Sequence, residues 1–290
     1  MQQDLPTDLT CSSLLESLET SLLQLRDRWP EPWPGLALVF DRCWQRLGWN
    51  LQASPARVQA LIRCAHDIAA RIERDARARQ RRGAEPQYHN RLHIADTLVC
   101  MTHLLLAQRE AQSHARPVQV PGCLALVVML GHDYLHNGQV NRLPTELESI
   151  AVAQLQPIML RHGVSRQDRD TVTHCILKTD PSGVKSAHAL IASRPFELAD
   201  RDCLAVLAEE ADILASTLTV TSVGLTLSLS QEWETSNPAM AKGLLQPASR
   251  IYFLENAALF SSPAATWLGI PVRKQQEIDA VRRGLAALKT

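Results

Sequence analysis

The sequence predicts an all-α protein, a compact multi-helix bundle. Three observations carry that prediction. Apolar residues recur at helical spacing in most segments between turn signals. Residues that suit helix starts, such as Ser54-Pro55, Thr145 and Ser165, stand where those segments begin. The single β-branched run, residues 218–230, has no second run to serve as its sheet partner.

In chain order, residues 11–29 carry Leu14, Leu15, Leu18, Leu22, Leu23 and Leu25 on a helical period, and Trp-Pro turns at 29–34 end the segment. Residues 35–50 are a further apolar stretch containing Trp44 and Trp49. Ser54 is an expected N-cap with Pro55 at the first helical position. The helix over 55–82 turns Val58, Leu61, Ile62, Ala65, Ile68, Ala69 and Ile72 to the core and ends in the basic run before Gly83. That run reads as a solvated helix end whose cations complement the dipole. His66-Asp67, with no histidine four residues away, reads as structural. Glu85-Pro86 turns the chain into a helix over 91–108.

A loop around Pro117 and Pro121 precedes an apolar run, Leu124 to Leu130, which has no polar face and predicts a helix buried all round and ended by Asn137-Gly138. The next helix spans 145–162, with Thr145 as N-cap and Glu148 in capping-box spacing. Ser165 caps a helix to about Lys178, and Pro181-Ser182-Gly183 forms a turn. Residues 197–217 and 221–234 are helical, and Pro271 opens a last amphipathic helix with Val272, Ile278, Val281 and Leu285. Residues 1–50 form a helical lead-in, either packed on the body or making a homodimer contact, and 51–290 the main domain.

Composition excludes several classes. The 290 residues are 46% hydrophobic and 21% charged, with zero net charge, so no global field attracts nucleic acid or an acidic membrane surface. No apolar run approaches the length of a span, and the N-terminus lacks a positive-then-apolar leader pattern. Seven scattered cysteines without a CxxC pair fit reduced thiols in the cytoplasm.

The chemistry concentrates in two short segments. YHNRLHIAD runs from Tyr88 to Asp96, and GHDYLHNG from Gly131 to Gly138. His89 and His93 are spaced i, i+4, as are His132 and His136, so on helices each pair would share one face. A single buried histidine is usually a satisfied core residue. Two such pairs with Asp133 adjoining His132 instead make a ligand cluster suited to Zn²⁺ or a comparable transition metal. Polar ligands after so apolar a run as 124–130 are costly to desolvate unless something pairs with them.

The pattern H-(x3)-H, then HD-(x2)-H, then a later Asp resembles the HD phosphohydrolase superfamily. More narrowly, Tyr88, His89, Asn90, His93 and Asp96 with His132, Asp133, His136, Gly138 and Asn141 resemble the class I cyclic-nucleotide phosphodiesterases. Leu147-Glu148, Thr179-Asp180 and Ala211-Asp212 extend the resemblance over about 88–260. It implies His93, His132, Asp133 and Asp212 as ligands of a first metal, Zn²⁺, Fe or Mn. Asp133 would bridge to a second ion, Mg²⁺ or Mn²⁺, held mostly through waters. Two divalent ions sharing a carboxylate can bring a bridging water to hydroxide at neutral pH, ready to attack phosphorus. His89 and His136 are the implied catalytic histidines, with His89 as general acid. Glu148 and Thr179, together with His136, would orient bound waters; Glu148 reads equally as a capping residue.

Tyr88, Arg250 and Phe253 are candidate substrate-binding residues, Tyr88 and Asn90 doubling as helix-entry groups. The expected substrate is a small-molecule cyclic nucleotide or related phosphodiester. Three departures bear on substrate choice. Arg250 stands where the family has a purine-reading glutamine, Ala215 where it has asparagine, and Ser149-Ile150-Ala151 where it has Asn-His-His. A guanidinium donates only, whereas an amide also accepts. The alternatives are an HD-type enzyme acting on another nucleotide or phosphomonoester, and a non-catalytic helical regulator that keeps the metal site.

Overall fold

A computed structural model describes residues 10–50, 53–112 and 119–287. Among them are fourteen helices and no strand. In order these are α1 (Cys11–Arg26), α2 (Leu36–Arg46), α3 (Ala56–Gln80), α4 (Arg91–Ala111), α5 (Gln119–Gly131), α6 (Glu146–Arg161) and α7 (Arg166–Lys178). There follow α8 (Val184–Ile191), α9 (Arg201–Thr217), α10 (Thr219–Trp233), α11 (Pro238–Leu244), α12 (Pro247–Asn256), α13 (Pro263–Trp267) and α14 (Ile270–Ala287). The expected all-α class is the observed one. The first nine residues and the loop at Pro117 lie outside the described residues.

Two helices without a polar face form the centre. α5 is buried at every position from Pro121 to Gly131, and α4 from His93 to Gln108. Burying a Leu or Val side chain contributes roughly 1.5–3 kcal/mol, so these helices are held by burial rather than by amphipathic placement. α1, α2, α5, α9 and α13 pack around α4, while α9 also meets α5, α7, α8 and α10. Paired charges fasten the layers. Arg26 of α1 grips buried Asp96 of α4 through two N–H donors at 2.9 and 2.7 Å. Arg57 of α3 does the same for Asp168 of α7.

Several boundaries differ from expectation for local reasons. Ser54 does not cap α3, because its hydroxyl donates to the Asn50 carbonyl at 2.7 Å and Pro55 holds the cap position. Thr145 does not cap α6 either. It sits at φ +59 with no side-chain cap bond, and Asp180 takes its N–H instead. The helix that carries the apolar run ends at Gly131 rather than at Asn137-Gly138; the chain continues in tight turns, with the Tyr134 N–H bonded to the Gly131 carbonyl and Leu135 at φ +57. Ser165 caps α7 as expected, accepting the Asp168 N–H at 3.2 Å. The β-branched run is helical, as α10. α8, α11, α12 and α13 are short helices without a predictive period. Among the described residues no single helix is long and apolar enough to cross a membrane, and all seven cysteines are free thiols.

Candidate functional site

The two histidine segments sit at helix ends, not within helices. Asn90 caps α4, its Oδ1 accepting the N–H groups of Leu92 at 2.8 Å and His93 at 3.3 Å. His93 therefore lies in the first turn, while His89 lies outside the helix. Likewise α5 closes at Gly131, where an added Cβ would lie 2.7 Å from the Leu155 side chain. His132 follows at once, and His136 lies beyond a tight turn. The expectation of two i, i+4 pairs on helix faces is corrected here, since neither pair lies within one helix.

The histidines pair across the segments instead. His93 Nε2 and His132 Nε2 are 3.3 Å apart, and the rings of His89 and His136 stack with centroids at 4.0 Å. Two carboxylates join the first pair. Asp133 Oδ2 lies 3.1 Å from His93 Nε2 and 3.3 Å from His132 Nε2, and Asp212 Oδ1 of α9 lies at the same 3.1 and 3.3 Å. Neighbouring donors bound to one cation at about 2.0–2.1 Å stand roughly 3.0–3.4 Å apart, so this four-residue set fits a transition-metal site.

The tautomers favour the same reading. His132 donates its Nδ1–H to the Met129 carbonyl at 2.9 Å, which turns its Nε2 toward the carboxylates. Acceptors converging on acceptors require positive charge between them. The electrostatics express that demand. Burial lowers the His93 pKa, but Asp133 and Asp212 override it and hold it up at about 9. They raise His132 well above its ordinary value against the same burial. Burial pushes the Asp133 and Asp212 carboxyls up, yet the facing imidazoles hold both below the usual carboxylate range.

The second pair is organised by a residue that the sequence did not single out. Glu232 of α10 accepts His89 Nδ1–H in a short hydrogen bond and also takes the backbone N–H groups of Tyr88 at 2.7 Å and His89 at 2.9 Å. These contacts hold its pKa below normal despite its burial. His89, His136 and Glu232 are close enough to suggest a second ion. The imidazoles are stacked, however, so their lone pairs lie in near-parallel planes rather than converging, and the trio reads as a proton-holding chain. Burial and the neighbouring His89 charge pull His136 down to about 4. The basic end of α3 is not purely solvated, since Arg79 donates to the carbonyls of His136 at 2.8 Å and Leu135 at 3.2 Å.

A cavity of 500 Å³ opens over this cluster. It is lined by His89, His93, His132, Asp133, His136, Glu148, Thr179 and Asp212, together with Tyr88 and Phe253. Glu148 is not a capping residue; it accepts Asn141 Nδ2 at 2.9 Å, and burial raises its pKa. Thr179 is buried and donates to the Ile176 carbonyl at 2.8 Å. Tyr88 meets the Ser216 hydroxyl at 3.1 Å and packs on the His93 ring. Arg250 does not line this cavity, a correction to its expected place on the substrate wall. Its donors are taken by Glu277 at 2.7 Å and by the carbonyls of Ser216 at 2.7 Å and Thr217 at 3.3 Å. It borders an adjoining space of 100 Å³, where its guanidinium lies over the Phe253 ring. Trp233 does line the main cavity, and its indole N–H has no partner among the described residues.

No protein-family model and no curated protein matches this sequence. Solved structures do match. LmjPDEB1 in complex with IBMX aligns with a TM-score of 0.64 at 17% identity, over 92% of this chain and 91% of that one. The phosphodiesterase domain of the RhoPDE fusion protein from the choanoflagellate Salpingoeca rosetta aligns with a TM-score of 0.55 at 18% identity, over 88% and 90%. A second structure of the Salpingoeca rosetta rhodopsin phosphodiesterase domain gives 0.50 at 18% identity, over 94% and 87%. The chain has the all-α fold of these phosphodiesterase domains.

Proposed function

We propose that the protein is a metal-dependent phosphoric ester hydrolase, a phosphodiesterase of the class I type, with a cyclic nucleotide as its leading substrate. The observation that carries this reading is the convergence of His93, His132, Asp133 and Asp212 at 3.1–3.3 Å from three separate stretches of chain. Those four residues would hold a first divalent ion, Zn²⁺, Fe or Mn. Asp133 would share its carboxylate with a second, Mg²⁺ or Mn²⁺. When bound, such a pair supplies Lewis acidity toward phosphoryl oxygens and a water acidic enough to act as nucleophile at neutral pH.

The remaining residues bind, orient and carry protons. Glu232 fixes the His89 ring through Nδ1, so the proton available for a leaving oxygen is the one on Nε2. His136 supports that ring by stacking. Glu148, held by Asn141, and Thr179 present acceptors to waters on the cavity wall. Tyr88, Leu229 and Phe253 offer apolar surface to a planar group. The free thiols support a reducing, cytoplasmic setting.

A second reading keeps the metal centre but takes another nucleotide or phosphomonoester. The committed donors of Arg250 favour it, because no amide or free guanidinium stands ready to read a purine edge at that position. The deciding experiment is a substrate panel on metal-analysed protein. Release of 5′-nucleotide from 3′,5′-cAMP or cGMP with Mg²⁺ or Mn²⁺ is expected. Turnover only of other phosphoesters would shift the substrate class. Protein without bound metal and without activity would leave a helical regulator in its place.

A further inference from the structure

One face of α3 carries a regular charge pattern. Asp67, Arg71, Asp75 and Arg79 follow one another at four-residue steps, along a gently winding stripe of the helix. Arg71 Nε donates to Asp67 Oδ1 at 2.8 Å, and Arg79 Nε to Asp75 Oδ2 at 2.6 Å. Ion pairs so near the surface add little to stability. Their effect is to aim each guanidinium.

Both arginines reach the turn that follows α5. Arg71 lies beside the Tyr134 hydroxyl. Arg79 donates from Nη1 to the His136 carbonyl at 2.8 Å and from Nη2 to the Leu135 carbonyl at 3.2 Å. It borders a small cleft with His89, Asp133 and His136 and does not line the 500 Å³ cavity, so whatever it does for the site it does through the turn. That turn needs holding. Leu135 at φ +57 occupies the left-handed region that a residue with a Cβ disfavours. Within the turn the Tyr134 N–H reaches the Gly131 carbonyl at 3.1 Å, and the His136 N–H reaches the Asp133 carbonyl at 3.0 Å. The two carbonyls that Arg79 takes belong to the peptides on either side of the His136 Cα. One planar fork bound to both fixes the direction in which the His136 ring leaves the backbone, and that ring stacks on His89 at 4.0 Å. A lysine ammonium is a single point and cannot span both carbonyls in this way.

We propose that Arg79, aimed by Asp75, is a positioning residue for the hydrolysis: it locks the two peptides flanking His136 and so keeps that ring stacked on the proton-donating His89. The inference rests on the proposed role of His89.

The test is steady-state hydrolysis of the substrate panel by the full chain with Arg79→Met, Arg79→Lys and Asp75→Asn, alongside metal content and histidine ring-proton NMR. A catalytic group misplaced by about 1 Å can cost about 10²-fold, so kcat in Arg79→Met should fall by roughly 10–10²-fold with KM and bound metal unchanged. Arg79→Lys should recover little of this, and Asp75→Asn should lie between wild type and Arg79→Met. Stacked rings move each other's C–H signals upfield, and the His89 and His136 signals should move back in Arg79→Met. Arg57→Met, which opens the Arg57–Asp168 pair at the other end of α3, is the control for stability alone; it should lower the melting temperature and leave kcat unchanged. Unchanged kcat or unchanged ring signals in folded Arg79→Met would overturn the proposal, as would full recovery in Arg79→Lys, or an equal loss of kcat in Arg57→Met. If Arg79→Met fails to fold, Asp75→Asn carries the same comparison. If the wild type hydrolyses nothing on the panel, the hydrolase reading falls, and the ring signals alone decide whether Arg79 holds the turn.

Discussion

At the residue scale, what matters is that neighbours in sequence do different work. His93 is drawn with His132 toward two carboxylates, while His89 is drawn with His136 toward Glu232. The two sets should therefore separate on mutation. Asp133→Ala removes a donor that faces both imidazoles, and metal content by plasma emission spectrometry should fall together with activity. His89→Ala leaves that set intact, so metal should stay bound while kcat falls by roughly 10²–10⁴-fold, the usual contribution of a positioned acid. Equal metal loss in both variants would remove His89 from the acid role.

At the scale of elements, the site exists because helices stop where they do. Asn90 starts α4 one residue after His89, Gly131 ends α5 one residue before His132, and the turn beyond folds His136 back over His89. Gly138 completes that turn at φ +76, and an added Cβ would lie 3.2 Å from the Glu232 side chain. Gly138→Ala should cost about 1–2 kcal/mol from backbone conformation alone. It should also displace Glu232, lowering both the melting temperature and kcat; an unchanged kcat would show that Glu232 does not govern the His89 ring. The helical class and the identity of the clustered residues were legible in the sequence, because period and residue type are local. The turn was not, since i, i+4 spacing is equally compatible with a helix and with the φ +57 break at Leu135. Glu232 was also hidden, 143 residues from the histidine it holds, in a helix with no motif around it. Arg250 matched a motif position, yet its destination depends on Glu277 and on carbonyls at the end of α9, which no local pattern announces.

At the scale of the molecule, α4 runs through the core, with His93 in its first turn and the buried His103 ten residues on, nearly three turns away. The expected lead-in helices α1 and α2 pack on α4, with the Arg26–Asp96 pair fastening α1. Stability should consequently respond to pH through His103. In the folded chain burial holds its pKa at about 3, whereas in the unfolded chain the imidazole returns to an ordinary value near 6.5. Between those values the unfolded state binds a proton that the folded state refuses. Stability is therefore intact above about pH 6.5 and declines as pH falls, by about 1.4 kcal/mol per unit from this group. Denaturant melts from pH 7.5 to 4.5 should show the wild type losing stability more steeply than His103→Leu by roughly that slope. Parallel curves would mean that the folded chain lets the His103 ring take up its proton at an ordinary pH, and that burial does not hold it neutral.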